Sequence, residues 1–212
     1  ECESRPEHFD PEMLALMKRA GCEGIKIVVE TIAEPLLHRV RRLDQEQEAE
    51  DYRAHVAELV RASKELGLRC LRLEPYMYGD GMTGLPPNDK HYWPVYMKCS
   101  ELGVAVAIQV GHTGPLLPSE CGRPIYLDEV ALSFPDLTIL GCHVGQPWHE
   151  EMMVLAWKHP NVYLETSARG PRQWPQSLVD FAGGWGQDKV IWATDYPLLG
   201  FDRTLSELEA LG

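Results

Sequence analysis

Chemically reactive side chains directly follow several apolar runs of this chain. His112 stands in IQVGHTGP, His143 in ILGCHVGQPW and Asp195 in WATDYP. Neutral imidazoles and an ionised carboxylate are ligands for a divalent cation such as Zn²⁺, and water on such a cation has a pKa of about 7 and can act as a nucleophile. Because the three residues lie far apart in the sequence, they form one site only if the preceding runs converge.

Predicted strands and helices alternate along the chain, and the strands must position these residues. β-branched or aliphatic runs occupy residues 24–30, 68–74, 104–110, 137–142, 161–167 and 189–194. Helical spacing of Leu, Ala and Glu predicts helices at residues 11–20, 47–66, 93–102, 126–133 and 150–158. Gly21, Gly67 and Gly103 stand where a helix would end before the next strand. Residues 34–43 fit a strand or a helix, and their apolar spacing slightly favours a helix.

This alternation is typical of an open doubly wound sheet or of a closed (β/α)8 TIM barrel. An open nucleotide-binding sheet would carry a GxGxxG loop or a Walker lysine, and the sequence has neither. His, Glu and Asp follow the strands instead. In a barrel these residues meet at the carboxyl-terminal mouth. We therefore predict a (β/α)8 barrel.

Composition excludes several classes of protein. The 212 residues suffice for a large core, and the net charge of -12 would repel a nucleic-acid backbone. No apolar run approaches the roughly 18 residues that span a bilayer, and the first ten residues resemble no secretory signal. The six cysteines show no CxxC pair, which favours reduced thiols and a cytoplasmic location.

The stretch from residue 95 to residue 199 resembles the amidohydrolase-related group of the metal-dependent hydrolases, which includes aromatic-acid decarboxylases, hydratases and lactonases. The resemblance rests on GVAVAIQVGHTGP, RPIYLDEVALSFPDLTILGCHVG, HPNVYLETS and KVIWATDYP, in that order. It implies a (β/α)8 barrel in which His112 ends strand 5, His143 strand 6 and Asp195 strand 8. It also implies that His112 and Asp195 bind the metal, that Asp195 handles the proton of the attacking water, and that His143 positions or deprotonates this water.

Members of this group also carry an HxH pair on strand 1, and this sequence has none. A complete barrel takes about 250 residues, at roughly 30 for each βα unit, whereas this chain has room for about seven units. We therefore expect a single barrel domain over residues 1–212 that lacks its first strand. It is either a fragment truncated at both ends, which we favour, or a divergent member that has lost this strand and its two ligands.

Four further residues are candidates for contacts with substrate. Glu74 ends the LRLE run, where it binds substrate or pairs with Arg72 or Arg69. Arg123 follows the His112 strand and could clamp a carboxylate with two hydrogen bonds, or lie on the surface at a helix start. Trp148 and Tyr196 follow later strands and could wall the pocket or simply pack.

These observations predict an amidohydrolase-like enzyme that uses metal-activated water on a small carboxylated or cyclic substrate. Zinc is the first choice of metal, with manganese or iron as alternatives. Non-oxidative decarboxylation of an aromatic or muconate-type acid would use the same residues. A metal-free lactonase, or an inactive barrel fragment that serves as an interaction module, also stays open because the HxH pair is missing. We expect a small-molecule substrate, no nucleic-acid or membrane partner, and a homo-oligomer.

Overall fold

The computed structural model describes residues 2–4, 25–28, 61, 65, 67, 69–79 and 82–211 of the chain, and for the first two stretches only the backbone. The helix predicted at residues 11–20 and the ambiguous stretch 34–43 lie outside the described residues. Of the helix predicted at residues 47–66, only a few positions are described, and Arg61 and Glu65 among them are helical.

Seven strands in the described part of the chain form one parallel sheet in which each strand neighbours the next along the sequence. An open doubly wound sheet reverses its strand order at a switch point, whereas a barrel keeps sequence order, so this order is that of a barrel with one strand fewer than eight. The strands are β1 Cys2–Ser4, β2 Ile25–Val28, β3 Cys70–Leu73, β4 Ala105–Gln109, β5 Ile139–Cys142, β6 Val162–Glu165 and β7 Val190–Ile191.

Five α-helices of the described residues follow the later strands. They are α1 Trp93–Leu102, α2 Leu127–Ser133, α3 His149–Lys158, α4 Gln176–Gly183 and α5 Phe201–Glu209. Gly103 ends α1 in the left-handed conformation (φ 64°), and its N–H donates to the carbonyls of Cys99 and Ser100. Glycine adopts this conformation without a steric cost, which confirms the helix end predicted there.

Alternate residues of each strand serve two different surfaces. One set is apolar and buried in a common core with the helices, which contribute Tyr96, Leu127, Met152, Leu155 and Leu178. The other set is polar towards the strand ends, where Arg72, Gln109 and Glu165 are all buried. Because side chains alternate across a strand, the apolar core fixes the strands and leaves the polar set on the inner face of the sheet.

Each of the six predicted strands contains an observed strand that is shorter by a few residues. Three of the observed strands and α-helices lie outside the predicted strands and helices. Cys2–Ser4 forms β1 although CES contains no apolar run, Gln176–Gly183 forms α4, and Phe201–Glu209 forms α5. No helix of the described residues is long and apolar enough to cross a membrane.

Candidate active site at the carboxyl ends of the strands

The polypeptide turns sharply just after three neighbouring strands. His143 (φ 65°) and Val144 (φ 66°) follow β5, Ala168 (φ 59°) follows β6, and Asp195 (φ 58°) follows β7. Positive φ is uncommon for residues other than glycine, and it is least favourable for a β-branched residue such as Val144. Such conformations persist where the surrounding structure holds them, often at functional sites. They place His143 and Asp195 at the same edge of the sheet.

A buried arginine connects three strand ends. Arg72 on β3 is only 3% exposed, and its Nε donates to Glu74 Oε1 at 2.5 Å. Its Nη2 donates to Gln109 Oε1 at 3.1 Å, at the end of β4, and to His143 Nε2 at 2.7 Å, just after β5. These contacts place the guanidinium on the inner face of the sheet.

The hydrogen bonds fix the tautomer of His143. Because a guanidinium only donates, Nε2 of His143 must accept and the proton must reside on Nδ1. Nδ1 lies 3.0 Å from the carbonyl oxygen of Ser167 and 2.9 Å from its hydroxyl oxygen. The Ser167 hydroxyl in turn donates to Glu165 Oε2 at 2.6 Å. A continuous chain of polar groups therefore runs from Glu74 through Arg72 and His143 to Glu165.

The charge of Arg72 is fixed by its surroundings. Burial alone would lower the pKa of the guanidinium, but the acidic groups of Cys142, Glu74 and Glu165 nearby raise it above its usual value. Two atoms of the Arg72–Glu74 pair, Nη1 and Oε2, are buried and have no hydrogen-bond partner among the described residues. Leaving such atoms unsatisfied is costly, so they are available to a bound molecule.

A second arginine meets the other strand-end histidine. Nη2 of Arg169 contacts Nε2 of His112, while His112 Nδ1 donates to the carbonyl of Thr113 at 3.0 Å. Beside Arg169 lies a pocket of about 90 Å³. Its walls are formed by Val144, Gln146, His149, Arg169, Gln173, Trp174 and Pro175.

Comparison with known proteins agrees with this arrangement of strands. The family model described as amidohydrolase matches residues 42–212. The chain belongs to the amidohydrolase family. A search of curated proteins found no match.

Solved structures resemble this amidohydrolase over most of its length. An uncharacterised TIM-barrel protein from Bordetella bronchiseptica has 21% identity and a TM-score of 0.61, over 96% of this chain and 75% of that one. A dihydroxybenzoic acid decarboxylase from Polaromonas, with bound manganese and 2-nitroresorcinol, has 16% identity and a TM-score of 0.56, over 95% and 79%. A probable 2-pyrone-4,6-dicarboxylic acid hydrolase from Acinetobacter baumannii, with citric acid bound, has 12% identity and a TM-score of 0.51, over 99% and 89%. The shared fold confirms the predicted (β/α)8 class, incomplete in the described residues.

The described residues of this amidohydrolase do not by themselves fit a metal ion. No group of three His, Cys, Asp or Glu side chains among them is arranged to hold one. The Nε2 atoms of His112 and His143 each face an arginine, and a guanidinium competes with a cation for the imidazole lone pair. Asp195 follows β7 and is half-buried.

The other predicted residues lie in different surroundings. Arg123 donates to both carboxylate oxygens of Glu151, with Nη2 2.8 Å from Oε1, and lies 6.0 Å from the ring centre of Trp148. A substrate carboxylate would have to displace Glu151 from this arginine. Tyr196 is 55% exposed and stacks on Phe201, with ring centres 5.3 Å apart.

The sequence analysis assigned no role to four polar residues of this edge, Gln109, Glu165, Ser167 and Arg169. It named Arg72 as one alternative partner of Glu74, and the structure shows this pair. Arg72 and Glu74 are two residues apart in LRLE, so a shared face of one strand was readable from the sequence. Their contacts with β4 and β5 depend on the register between strands, in which Arg72 pairs with Ala107. Arg169 lies in a loop, where no periodicity indicates its direction.

Proposed function

We propose that this amidohydrolase hydrolyses a small carboxylated or cyclic substrate at the carboxyl ends of its strands. The observation that carries the proposal is the buried polar chain from Glu74 to Glu165, because it holds the imidazole of His143 in one tautomer at that edge. A catalytic imidazole needs such support on its second nitrogen to keep its orientation. The family membership and the barrel fold support the same edge as the place of reaction.

In the proposed reaction, His143 orients the attacking water and Asp195 accepts its proton. The neutral ring of His143 offers one lone pair, on Nε2, so the attacking water would replace Arg72 Nη2 as the donor to this atom. Glu74 would accept a hydrogen bond from the substrate through its buried Oε2. Arg123, Trp148 and Tyr196 stay proposed contacts at the rim.

A divalent metal ion, with zinc as the first choice and manganese or iron as alternatives, is part of the proposal. His112 and Asp195 are the proposed ligands, supported by their positions after β4 and β7. Two ligands do not complete a zinc site, so further ligands would come from outside the described residues. Mass spectrometry of the purified chain tests this: His112→Ala should lower the metal content per monomer, and a chain without metal would favour the metal-free lactonase.

Decarboxylation is the second candidate reaction. It is supported by the fold shared with the dihydroxybenzoic acid decarboxylase and by the guanidinium of Arg72, which lies beside the strand-end imidazole of His143. Guanidinium groups pair well with carboxylates, which a decarboxylase must hold before the carbon–carbon bond breaks.

One experiment separates the two reactions. The purified chain is incubated with 2-pyrone-4,6-dicarboxylic acid and, separately, with a dihydroxybenzoic acid, and ¹³C NMR follows the products. Hydrolysis opens the lactone ring, whereas decarboxylation releases carbon dioxide. We expect Asp195→Asn and His143→Gln to lower kcat by about 100-fold or more.

His91→Gln is the matched control for His143→Gln, because His91 is exposed and bonded to Asp89 outside the strand ends. It should leave kcat unchanged. Turnover that survives both Asp195→Asn and His143→Gln would contradict the proposed roles.

We also propose a cytoplasmic homo-oligomer that forms no complex with nucleic acid or membranes. Cys99 and Cys121 are buried thiols, as expected in a reducing compartment. Trp157 and Trp185 are exposed and lie 6.4 Å apart between ring centres, and such apolar surface supports an interface between copies. Light scattering at several concentrations tests the oligomeric state.

A further inference from the structure

The guanidinium of Arg169 is the starting point, because its charge has no acidic partner in the described part of the chain. Nη2 contacts the ring of His112, and Nε is buried and has no hydrogen-bond partner among the residues that the structure describes. A half-buried positive charge with an unsatisfied donor is unfavourable unless an anion binds it. Arg172, three residues later, differs: its Nε lies 3.9 Å from Glu207.

The pocket beside Arg169 has the chemistry of an anion site. Its other polar walls are the side chains of Gln146, His149 and Gln173, and none of the described acidic residues lines it. The pocket, of about 90 Å³, has room for a carboxylate group. Two oxygens in a plane match the planar donors of an arginine.

One wall of the pocket is flat and apolar. Trp174 lines it, and its Nε1 donates to the carbonyl of Arg169 at 2.9 Å, which fixes the indole relative to the arginine backbone. Val144, the residue directly after His143, also lines the pocket. A carboxylate on Arg169 would therefore bring a flat carbon skeleton against the same walls, Trp174 and the turn after β5.

We propose that the pocket around Arg169 is a carboxylate subsite that anchors a planar, ring-bearing acid through a carboxylate that does not itself react. Arg169 is then the residue that selects acids over neutral analogues, and Trp174 favours flat rings over puckered ones. The statement that the anchored acid is a substrate rests on the proposed function. The statement that the pocket binds a carboxylate rests only on the structure around Arg169.

Ligand binding without turnover tests the subsite. The probe is 4-fluorobenzoate, whose ¹⁹F signal broadens and shifts on binding, and the neutral comparison is 4-fluorobenzamide. The wild-type protein should bind the acid in the millimolar range or tighter, and the amide at least tenfold more weakly. Cyclohexanecarboxylate should compete less well than benzoate.

Arg169→Gln should weaken binding of 4-fluorobenzoate about tenfold or more, because it removes a charged hydrogen bond. Arg169→Lys keeps the charge without the Nε donor and should give an intermediate loss, so the test does not depend on one variant folding. Arg172→Gln is the matched control and should bind as the wild type does. Equal affinity of Arg169→Gln and wild type, equal affinity for acid and amide, or no binding to wild type would each overturn the subsite.

The two proposals fail in different ways. Loss of binding in Arg169→Gln, together with no turnover of any carboxylated substrate, would keep the subsite and reject the proposed function. Turnover whose KM does not change in Arg169→Gln would keep the function and reject the subsite.

Discussion

Arg72 places a positive charge inside a sheet whose neighbouring residues, Leu71 and Leu73, are apolar and buried. Its ion pair with Glu74 is buried on both sides, with 4% and 8% of the two side chains exposed. Removing one partner of such a pair leaves a buried charge and typically costs about 3–5 kcal/mol. We expect Arg72→Met to lower the free energy of unfolding by about this amount, measured by urea denaturation.

Two further variants show whether the lost pair is the cause. Arg72→Met combined with Glu74→Leu should cost less than Arg72→Met alone, since no buried charge is then left unpaired. Arg61 and Glu65 form an exposed pair, with 3.1 Å between Nη1 and Oε2. Arg61→Met should therefore change the stability by less than about 1 kcal/mol. Equal losses in Arg72→Met and Arg61→Met would show that burial has no role.

The tautomer of His143 is a second prediction at the scale of the residue. Because Arg72 can only donate, ¹⁵N NMR should show a proton on Nδ1 and none on Nε2. In Arg72→Met the Ser167 carbonyl still accepts from Nδ1, so the tautomer should persist while the ¹⁵N shift of Nε2 changes with the loss of its donor. A protonated Nε2 in the wild-type protein would mean that Arg72 and His143 do not form this hydrogen bond.

For single residues, the sequence predicts which side chains lie at the strand ends better than it predicts which side chains they contact. His112, His143 and Asp195 were predicted as site residues because each follows an apolar run, and the structure places each after a strand. The contacts of His143 with Arg72 and Ser167 join residues from three strands. No local pattern encodes such contacts, because they depend on the pairing of strands and on turns with positive φ.

The connection after β4 illustrates how elements hold the site together. Gly111 has φ 90°, and a Cβ atom there would lie 2.4 Å from the carbonyl oxygen of Gln146 in the loop after β5. The same oxygen accepts a hydrogen bond from the N–H of His112 at 2.7 Å. Only glycine allows the two loops to approach this closely, so Gly111 fixes where His112 lies.

Replacing this glycine should be more costly than replacing one that merely ends a helix. We expect Gly111→Ala to lower the stability by about 3 kcal/mol or more, from positive φ and overpacking together. Gly103 also has positive φ, 64°, but nothing lies within 4 Å of its added Cβ, so Gly103→Ala should cost only about 1–2 kcal/mol. Thermal unfolding of Gly111→Ala and Gly103→Ala measures the two losses of stability. Equal losses would contradict the close approach of Gly111 to Gln146.

The elements themselves were largely readable from the sequence. The predicted helix 93–102 matches α1, because Gly103 marks its end, and the apolar runs at 104–110 and 161–167 contain β4 and β6. The strand Cys2–Ser4 was missed, because three residues without an apolar run carry no periodic signal. The predicted strands at 104–110 and 161–167 are longer than β4 and β6, in part because the last residues of each run already belong to the turn that follows the strand.

For the whole molecule, acid stability follows from charges that join its helices. Asp128 on α2 accepts hydrogen bonds from Lys158 and His159 at 2.6 Å each, and the bond from Lys158, followed by that from His159, lowers the pKa of Asp128. The pKa of Asp128 in the folded protein is lower than that of an Asp side chain in the unfolded chain, which is about 3.9. The ionised carboxylate therefore stabilises the fold at pH values above about 3.9, and this stabilisation is lost as the pH falls further.

We therefore expect Asp128→Asn to destabilise the protein at pH 7, and the difference from wild type to shrink as the pH falls from about 5 towards 2. Urea denaturation at several pH values measures this difference. A difference that stays constant over the whole range would show that the Asp128 carboxylate is not the titrating group.

The strict sequence order of the strands also affects how the protein is made. Each strand pairs only with strands from the units before and after it, so no pairing in the described sheet waits for a distant part of the chain. The sheet can therefore grow in the direction of synthesis, one βα unit after another, while the ribosome is still working. Until the next unit emerges, the newest strand exposes an unpaired edge, and this is where a nascent chain is most exposed to aggregation and to chaperones.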